Sequence, residues 1–192
     1  MFDNWKITLA SNSPRRKELL SGLGIEFSVE PSKDGIEAYS ASMPHFEIPA
    51  FLARHKSETF HRKLCSNEVL ITADTLVFLD DTILGKPGNP EDARLMLRSL
   101  SGKSHTVITG VALRTSISMN SFSDMSEVTF RDLSEDEILY YIKNFNPLDK
   151  AGSYGIQDWI GLAGISSIKG SYFNVMGLPT HRIYEELQKI CK

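Results

Sequence analysis

The sequence predicts an α/β fold built on a mixed sheet, and three observations carry that prediction. Residues 69–78 form a continuous apolar run of strand length, the pattern of a strand buried on both faces. Helix starts recur between strand-like segments: Ser13-Pro14, Asn89-Pro90-Glu91-Asp92, and Ser134 with Glu137 three residues on, a capping box. Hairpin turns such as Asp80-Asp81 lie among them, so a mixed sheet fits better than a purely parallel one.

Taken in order, residues 7–10 read as a short apolar strand. Ser13 then caps a helix whose Leu19, Leu20 and Leu23 keep helical spacing up to Gly24. A second short strand covers residues 26–30. Residues 31–49 are polar and irregular, punctuated by Gly35, Pro44 and Pro49, and long connections of this kind are often binding loops. Pro49 starts a helix expected to run to about Lys63. After the apolar strand and the Asp80-Asp81 turn, Ala93, Met96, Leu97 and Leu100 form the apolar stripe of a helix closed by Gly102. Residues 106–114 and 127–131 read as strands, and Ile138, Tyr141 and Ile142 mark the buried face of the next helix. Residues 149–164 are glycine-rich and loop-like. Two short strands are expected around the Lys169-Gly170-Ser171 turn, and Pro179 precedes a last helix with Ile183, Tyr184, Leu187 and Ile190 on one face.

With 192 residues, of which 41% are hydrophobic, the chain can bury a real core. A net charge of −3 argues against a general nucleic-acid binder, which carries a basic excess. Cys65 and Cys191 form no CxxC pair and the five histidines no HxxxH pattern, so a structural zinc site is not expected. Asp3, Asn4 and Lys6 interrupt any apolar leader, and the longest apolar run contains Asp74 and is too short to span a bilayer. The expectation is a reduced, cytoplasmic protein without a membrane partner.

Arg15 and Arg16 stand in the opening turn of the first helix, where the partial positive charge of the helix end disfavours cations. Either both point into water, or an anion lies near. Free backbone donors, the hydroxyls of Ser11 and Ser13 and two guanidinium forks would together receive a phosphate. Asp74 is a carboxylate inside a core strand, and its burial costs several kcal/mol, roughly a whole stability margin, unless it is compensated. A structural partner is one solution. A metal ligand or general base at the end of the strand is the other, since a hard cation offsets the desolvation and needs oxygen ligands. Leu52, Lys56 and Phe60 are spaced four apart, which puts Lys56 on an apolar stripe, snorkelling or paired. Lys86 sits in a tight loop before Pro87, and Glu37 in the irregular loop could complete a carboxylate pair with Asp74. In Asp149-Lys150-Ala151-Gly152-Ser153-Tyr154-Gly155-Ile156-Gln157, two glycines allow close backbone approach. Tyr154 offers either a stacking face or a packed ring, and Gln157 an amide able to read a base edge.

Taken together, Leu9 to Leu20 (LASNSPRRKELL), Ala73 to Pro87 (ADTLVFLDDTILGKP), Ser101 to Leu113 (SGKSHTVITGVAL), Asp149 to Gln157 (DKAGSYGIQ) and Asn174 to Pro179 (NVMGLP) resemble the Maf family of nucleoside triphosphate pyrophosphatases over essentially the whole chain. The resemblance implies one Maf-type domain over residues 1–192. It implies an elongated mixed sheet with flanking helices in two lobes around a cleft, related to inosine triphosphatases, and possible homodimers. It also implies metal-dependent hydrolysis of a nucleoside triphosphate to monophosphate and pyrophosphate, with Mg²⁺ or Mn²⁺ as the cation. Carried over residue by residue, Asp74 looks like the catalytic acid–base group and Glu37 its partner on the metal. Ser11, Arg16, Lys56 and Lys86 resemble the phosphate clamp. Arg15, Thr75 and Gln157 match the specificity positions of the subfamily that acts on dTTP and UTP. One departure stands out: many relatives have glycine after Gln157, whereas this chain has Asp158-Trp159. Two rival functions compete with this reading. Residues 77–82 superficially resemble a haloacid-dehalogenase nucleophile strand, but Thr82 stands where the second acid is required. A non-enzymatic nucleotide sensor or division-control protein is the other.

Overall fold

A computed structural model describes residues 2–31, 39–40 and 42–192. In chain order it contains β1 (Lys6–Ala10), α1 (Pro14–Ser21), β2 (Ser28–Glu30), α2 (Ile48–Glu58), β3 (Glu68–Leu79), β4 (Thr82–Leu84), α3 (Pro90–Leu100), β5 (Ser104–Arg114), β6 (Met119–Phe130), α4 (Glu135–Phe145), α5 (Trp159–Gly164), β7 (Ile165–Lys169), α6 (Tyr172–Met176) and α7 (Thr180–Ile190). The strands form one sheet in the order β2-β1-β3-β5-β6-β7, with β4 paired to β3. β1 runs parallel to β2 and β3, whereas β3–β4 and β6–β7 are antiparallel, so the sheet is mixed as the sequence predicts.

The local chemistry accounts for the element ends. Ser13 accepts from Arg16 N at 3.5 Å with Pro14 following it, and Asn89 accepts from Asp92 N at 2.9 Å. At α4 both halves of the capping box are present, Ser134 Oγ accepting from Glu137 N and the Glu137 carboxylate from Ser134 N at 2.8 Å. β3 is buried along nearly its whole length, as its unbroken apolar pattern requires. Asp80 closes the β3–β4 hairpin at φ 52°, in the left-handed region that aspartate tolerates.

Four expectations need correction, the first being that the end of the segment read as loop, residues 149–164, forms helix α5 from Trp159 to Gly164. α2 stops at Glu58 rather than near Lys63, because Thr59 turns both its N–H and its hydroxyl back onto the His55 carbonyl. Beyond it Arg62 is drawn away by two glutamates. β6 begins at Met119, eight residues earlier than its apolar content suggests, since its first half alternates polar and half-buried positions. The Gly170 turn is followed by helix α6, not by a second strand.

The chain divides into two compact units. The first comprises Met1–Asp74, Thr109–Asp124 and Gly177–Lys192, and the second Thr75–Ile108 and Met125–Met176. The first has its own core of Ile7, Leu9, Leu20, Leu52, Ile71, Leu113 and Ile183; the second is built around Leu97, Leu100, Phe130, Ile138, Tyr141 and Ile160. No helix among the described residues is long and apolar enough to cross a membrane.

Candidate active site

In the first unit the parallel register pairs Leu9 with Ile71, so β1 ends at Ala10 while β3 continues. The loop that follows β1 therefore sits beyond the carboxyl end of a parallel strand, the usual ligand position in α/β sheets. Ser11 opens that loop. It is 5% exposed, its N–H bonds to the Glu30 carbonyl at 3.0 Å, and its hydroxyl accepts from Ser13 N at 3.1 Å.

Asp74 is 6% exposed, and its carboxylate accepts a hydrogen bond from the Lys56 ammonium. The pairing follows from two periodicities. Thr72 and Asp74 share one face of β3, and Ala53 and Lys56 share one face of α2. Thr72 Oγ1 donates to the Ala53 carbonyl at 2.7 Å, which fixes the helix on the strand and brings Lys56 to Asp74. Gly110 of β5 completes the seat: a Cβ there would lie 2.0 Å from the Pro49 carbonyl carbon, so only glycine lets the start of α2 come so close. Neither Thr72 nor Gly110 was singled out from the sequence. The VITGVAL run held the signal, because a glycine inside a strand marks close backbone approach.

Arg16 does not turn into water. Its Nε donates to the Gly177 carbonyl at 2.9 Å and its Nη1 to the Ala73 carbonyl at 2.8 Å, one residue before Asp74. Burial lowers its pKa, the Asp74 charge opposes that fall, and Arg15 adds to it. Arg15 is half-buried in the same first turn. Asp74, Lys56 and Arg16 are thus brought together, with Ser11 at the head of the arginine-bearing helix.

Thr75, Lys86 and Gln157 belong to the second unit. Thr75 is half-buried in β3, and Lys86 is exposed in the loop after β4. That loop is tied to the glycine-rich segment by Gly152 N donating to the Gly85 carbonyl at 3.1 Å. Gly152 has φ +68° and lies against Val77, where a Cβ would stand 3.1 Å from its side chain. Gln157 is half-buried, and its Oε1 finds no hydrogen-bond partner among the described residues. Tyr154 is no stacking face. It is buried, its hydroxyl lies 2.7 Å from His105 Nε2, and its ring meets Phe130 edge-on at 5.2 Å. Trp159 packs edge-on against Tyr140 at 4.9 Å. Glu37 lies outside the described residues, and among those described no group of three His, Cys, Asp or Glu side chains gathers as a metal cluster.

A near-buried carboxylate held by an ammonium, with a guanidinium alongside and a helix start at the end of a parallel strand, brings together the charges and donors that polyanion sites use. The chain belongs to the Maf family: the model described as Maf-like protein matches residues 6–190. It is 54% identical over 189 residues to a dTTP/UTP pyrophosphatase of Phocaeicola vulgatus, covering 98% of both chains. It is 50% identical over 193 residues to a protein of the same name from Porphyromonas gingivalis, covering 98% of this chain and 97% of that one. A solved HAM1 protein from Coxiella burnetii superposes with a TM-score of 0.49 at 14% identity, covering 96% of this chain and 99% of that chain.

Proposed function

We propose that this chain hydrolyses dTTP and UTP to the monophosphate and pyrophosphate, by attack of water on the α-phosphorus. The observation that carries the reading is Asp74: a carboxylate at 6% exposure, paired with Lys56 and flanked by Arg16. The names and near-complete coverage of the relatives support the substrate class.

In this reading Asp74 accepts the proton of the attacking water. Its hydrogen bond from Lys56 fixes the carboxylate's orientation before substrate arrives. Ser11, Arg16, Lys56 and Lys86 receive the phosphates. Arg16 is already oriented by two backbone carbonyls, so little reorganisation is needed when negative charge grows on the departing pyrophosphate. Arg15, Thr75 and Gln157 meet the nucleoside.

The oxygen donors of Asp74 suit a hard divalent cation, which characteristically takes one or two carboxylates together with substrate phosphates. Asp74 and Glu37 would hold Mg²⁺ or Mn²⁺, and the cation would neutralise charge on the phosphate oxygens.

Product analysis tests the proposal. The purified chain is incubated with dTTP, UTP, CTP and 7-methyl-GTP and with Mg²⁺ or Mn²⁺, and the products are separated. Monophosphate plus pyrophosphate from dTTP and UTP is the expected result. Orthophosphate as the first product, or binding without turnover of any triphosphate, overturns it.

A further inference from the structure

Gly177 opens the turn that leads into α7, and Gly177, Leu178, Pro179 and Thr180 are all buried. Its φ of 108° lies far past the value of about 57° at which helices commonly end, in a region that side chains disfavour. The rotation φ carries the residue's own carbonyl carbon, so a residue drawn back to negative φ takes that carbonyl elsewhere. Here the carbonyl accepts from Arg16 Nε at 2.9 Å. The second anchor of the guanidinium is the Ala73 carbonyl, which accepts from Nη1 at 2.8 Å. A guanidinium is one rigid plane, and bonds from two of its nitrogens to separate points set both its place and its tilt. One carbonyl alone would leave rotation about its own bond. The turn is itself held. The Pro179 carbonyl accepts from Ile183 N at 3.2 Å where α7 starts, and Arg182 of that helix lies over the Phe122 ring of β6, 4.0 Å from its centroid. Gly177, Arg16, Ala73, Asp74 and Phe122 all belong to the first unit.

We propose that Gly177 is a positioning residue: its carbonyl holds the Arg16 guanidinium in the orientation that receives the pyrophosphate end of the substrate. The inference rests on the reading of Arg16 as a phosphate-binding side chain. A donor set before charge develops is worth more than one that must first be ordered, because no reorganisation accompanies the reaction. Residues 174–179, which otherwise read as a helix-to-helix connection, thereby reach the site through a backbone atom. What position 177 contributes is a carbonyl and a backbone rotation that only glycine adopts readily. An L-alanine there must either keep the strained φ or release it, and release withdraws the carbonyl from Arg16.

The test is a cycle of Gly177→Ala, Arg16→Met and the double variant in the full chain. For each, kcat/KM for UTP, the calorimetric Kd of inorganic pyrophosphate with Mg²⁺, and Tm are measured. Methionine keeps an unbranched apolar stem and removes every donor. Arg16→Met is expected to lower kcat/KM about a hundredfold and Gly177→Ala about tenfold, and both should raise the pyrophosphate Kd. In the Arg16→Met background, Gly177→Ala should cost less than about twofold, because the group it acts through is already gone. A purely structural role lowers Tm and multiplies the two losses; that outcome, or wild-type values in Gly177→Ala, overturns the positioning role. If Arg16→Met leaves kcat/KM and the pyrophosphate Kd unchanged, the reading of Arg16 fails and the inference fails with it. Absence of UTP turnover in the wild-type chain refutes the proposed reaction instead, while the pyrophosphate Kd still decides the role of Gly177. Should Gly177→Ala not fold, the wild-type chain decides by magnetic resonance. The Arg16 Nε–H, assigned in the labelled chain, should exchange with solvent at least about tenfold more slowly than an exposed arginine and stay protected when pyrophosphate is added. Exchange as fast as that of an exposed arginine overturns the hold by Gly177.

Discussion

Lys56 donates to Asp74 from the third turn of α2 into β3, and both side chains are largely withdrawn from solvent. An ammonium on an apolar helix stripe and a carboxylate in an apolar strand are each unfavourable alone. Together they form one charge-assisted pair whose geometry is set by Thr72 on Ala53 and by the glycine at position 110.

Asp74→Asn keeps the shape of the side chain and removes its ability to take a proton. Turnover of dTTP is expected to fall by roughly 10²–10⁴-fold, the usual worth of a positioned general base. Nucleotide binding, measured by calorimetric titration, should persist, since Arg16 and Lys56 remain. A kcat within a few-fold of wild type would remove Asp74 from the proton-accepting role.

The pair also has a stability signature. Lys56→Met leaves the Asp74 carboxylate without its ammonium and is expected to cost about 1–3 kcal/mol in urea denaturation. Adding Asp74→Asn should recover part of that loss, giving a coupling energy above about 0.5 kcal/mol in the double-mutant cycle. Strict additivity would mean that the contact contributes nothing beyond its two members.

What the sequence revealed of this site followed from misfit. Arginines in a first helical turn, a lysine on an apolar stripe and an aspartate in a core strand each violate a local pattern, and functional sites are where such violations concentrate. The capping box, the Asp80 turn and the buried strand were equally legible, because each is encoded within a few residues. Tyr141 reads only as one more apolar position on α4; that its hydroxyl closes a turn fourteen residues away is a tertiary fact. The extended β6 was missed for a related reason. Half-buried strands with serine and asparagine carry little hydrophobic contrast, so their pairing decides them.

Arg62 is the next test. Its guanidinium bridges two carboxylates, with Nε to Glu30 Oε2 at 3.2 Å, Nη1 to Glu68 Oε2 at 2.9 Å, and Nη2 to Glu30 Oε1 at 2.5 Å and to Glu68 Oε1 at 2.6 Å. Glu68 is wholly buried and also accepts from Thr8 Oγ1 at 2.7 Å and Cys65 N at 3.1 Å. The Arg62 hydrogen bond, against the opposing effect of burial, holds the Glu68 carboxyl well below the ordinary carboxylate range, and the Thr8 and Cys65 bonds add to it. Arg62→Ala should therefore cost about 1–3 kcal/mol at pH 7, the worth of lost charge-assisted hydrogen bonds, since Lys6 Nζ stays 3.4 Å from Glu68 Oε1. A depressed carboxyl pKa contributes stability that is full above the unfolded value near 4.5 and is lost as pH falls through the folded one. The gap between wild type and Arg62→Ala should thus shrink on going from pH 7 to pH 3, read by urea midpoints. Arg62→Lys should rescue only part, since a single ammonium cannot span both carboxylates as the fork does.

His105 supplies the opposite pH signature. It is 3% exposed, stacks on Phe130 with ring centroids 5.6 Å apart, and shares a hydrogen bond with Tyr154. Burial pushes its pKa from 6.5 down to about 4, so the folded chain keeps the ring neutral where the unfolded chain protonates it. Between those two values the unfolded state binds more protons, and stability must rise with pH across the window. The contribution is intact above about pH 6.5 and is lost on acidification toward pH 4, a change of about 3 kcal/mol at 1.36 kcal/mol per pKa unit. His105→Gln can still hydrogen-bond Tyr154 but cannot titrate, so it should flatten the stability profile between pH 4 and 6.5 while lowering Tm at pH 8. An unchanged slope in that variant would mean that the acid sensitivity arises elsewhere in the chain. A flattened slope would identify the ring that packs beside the Tyr154–Gln157 segment as the group whose charging unfolds it.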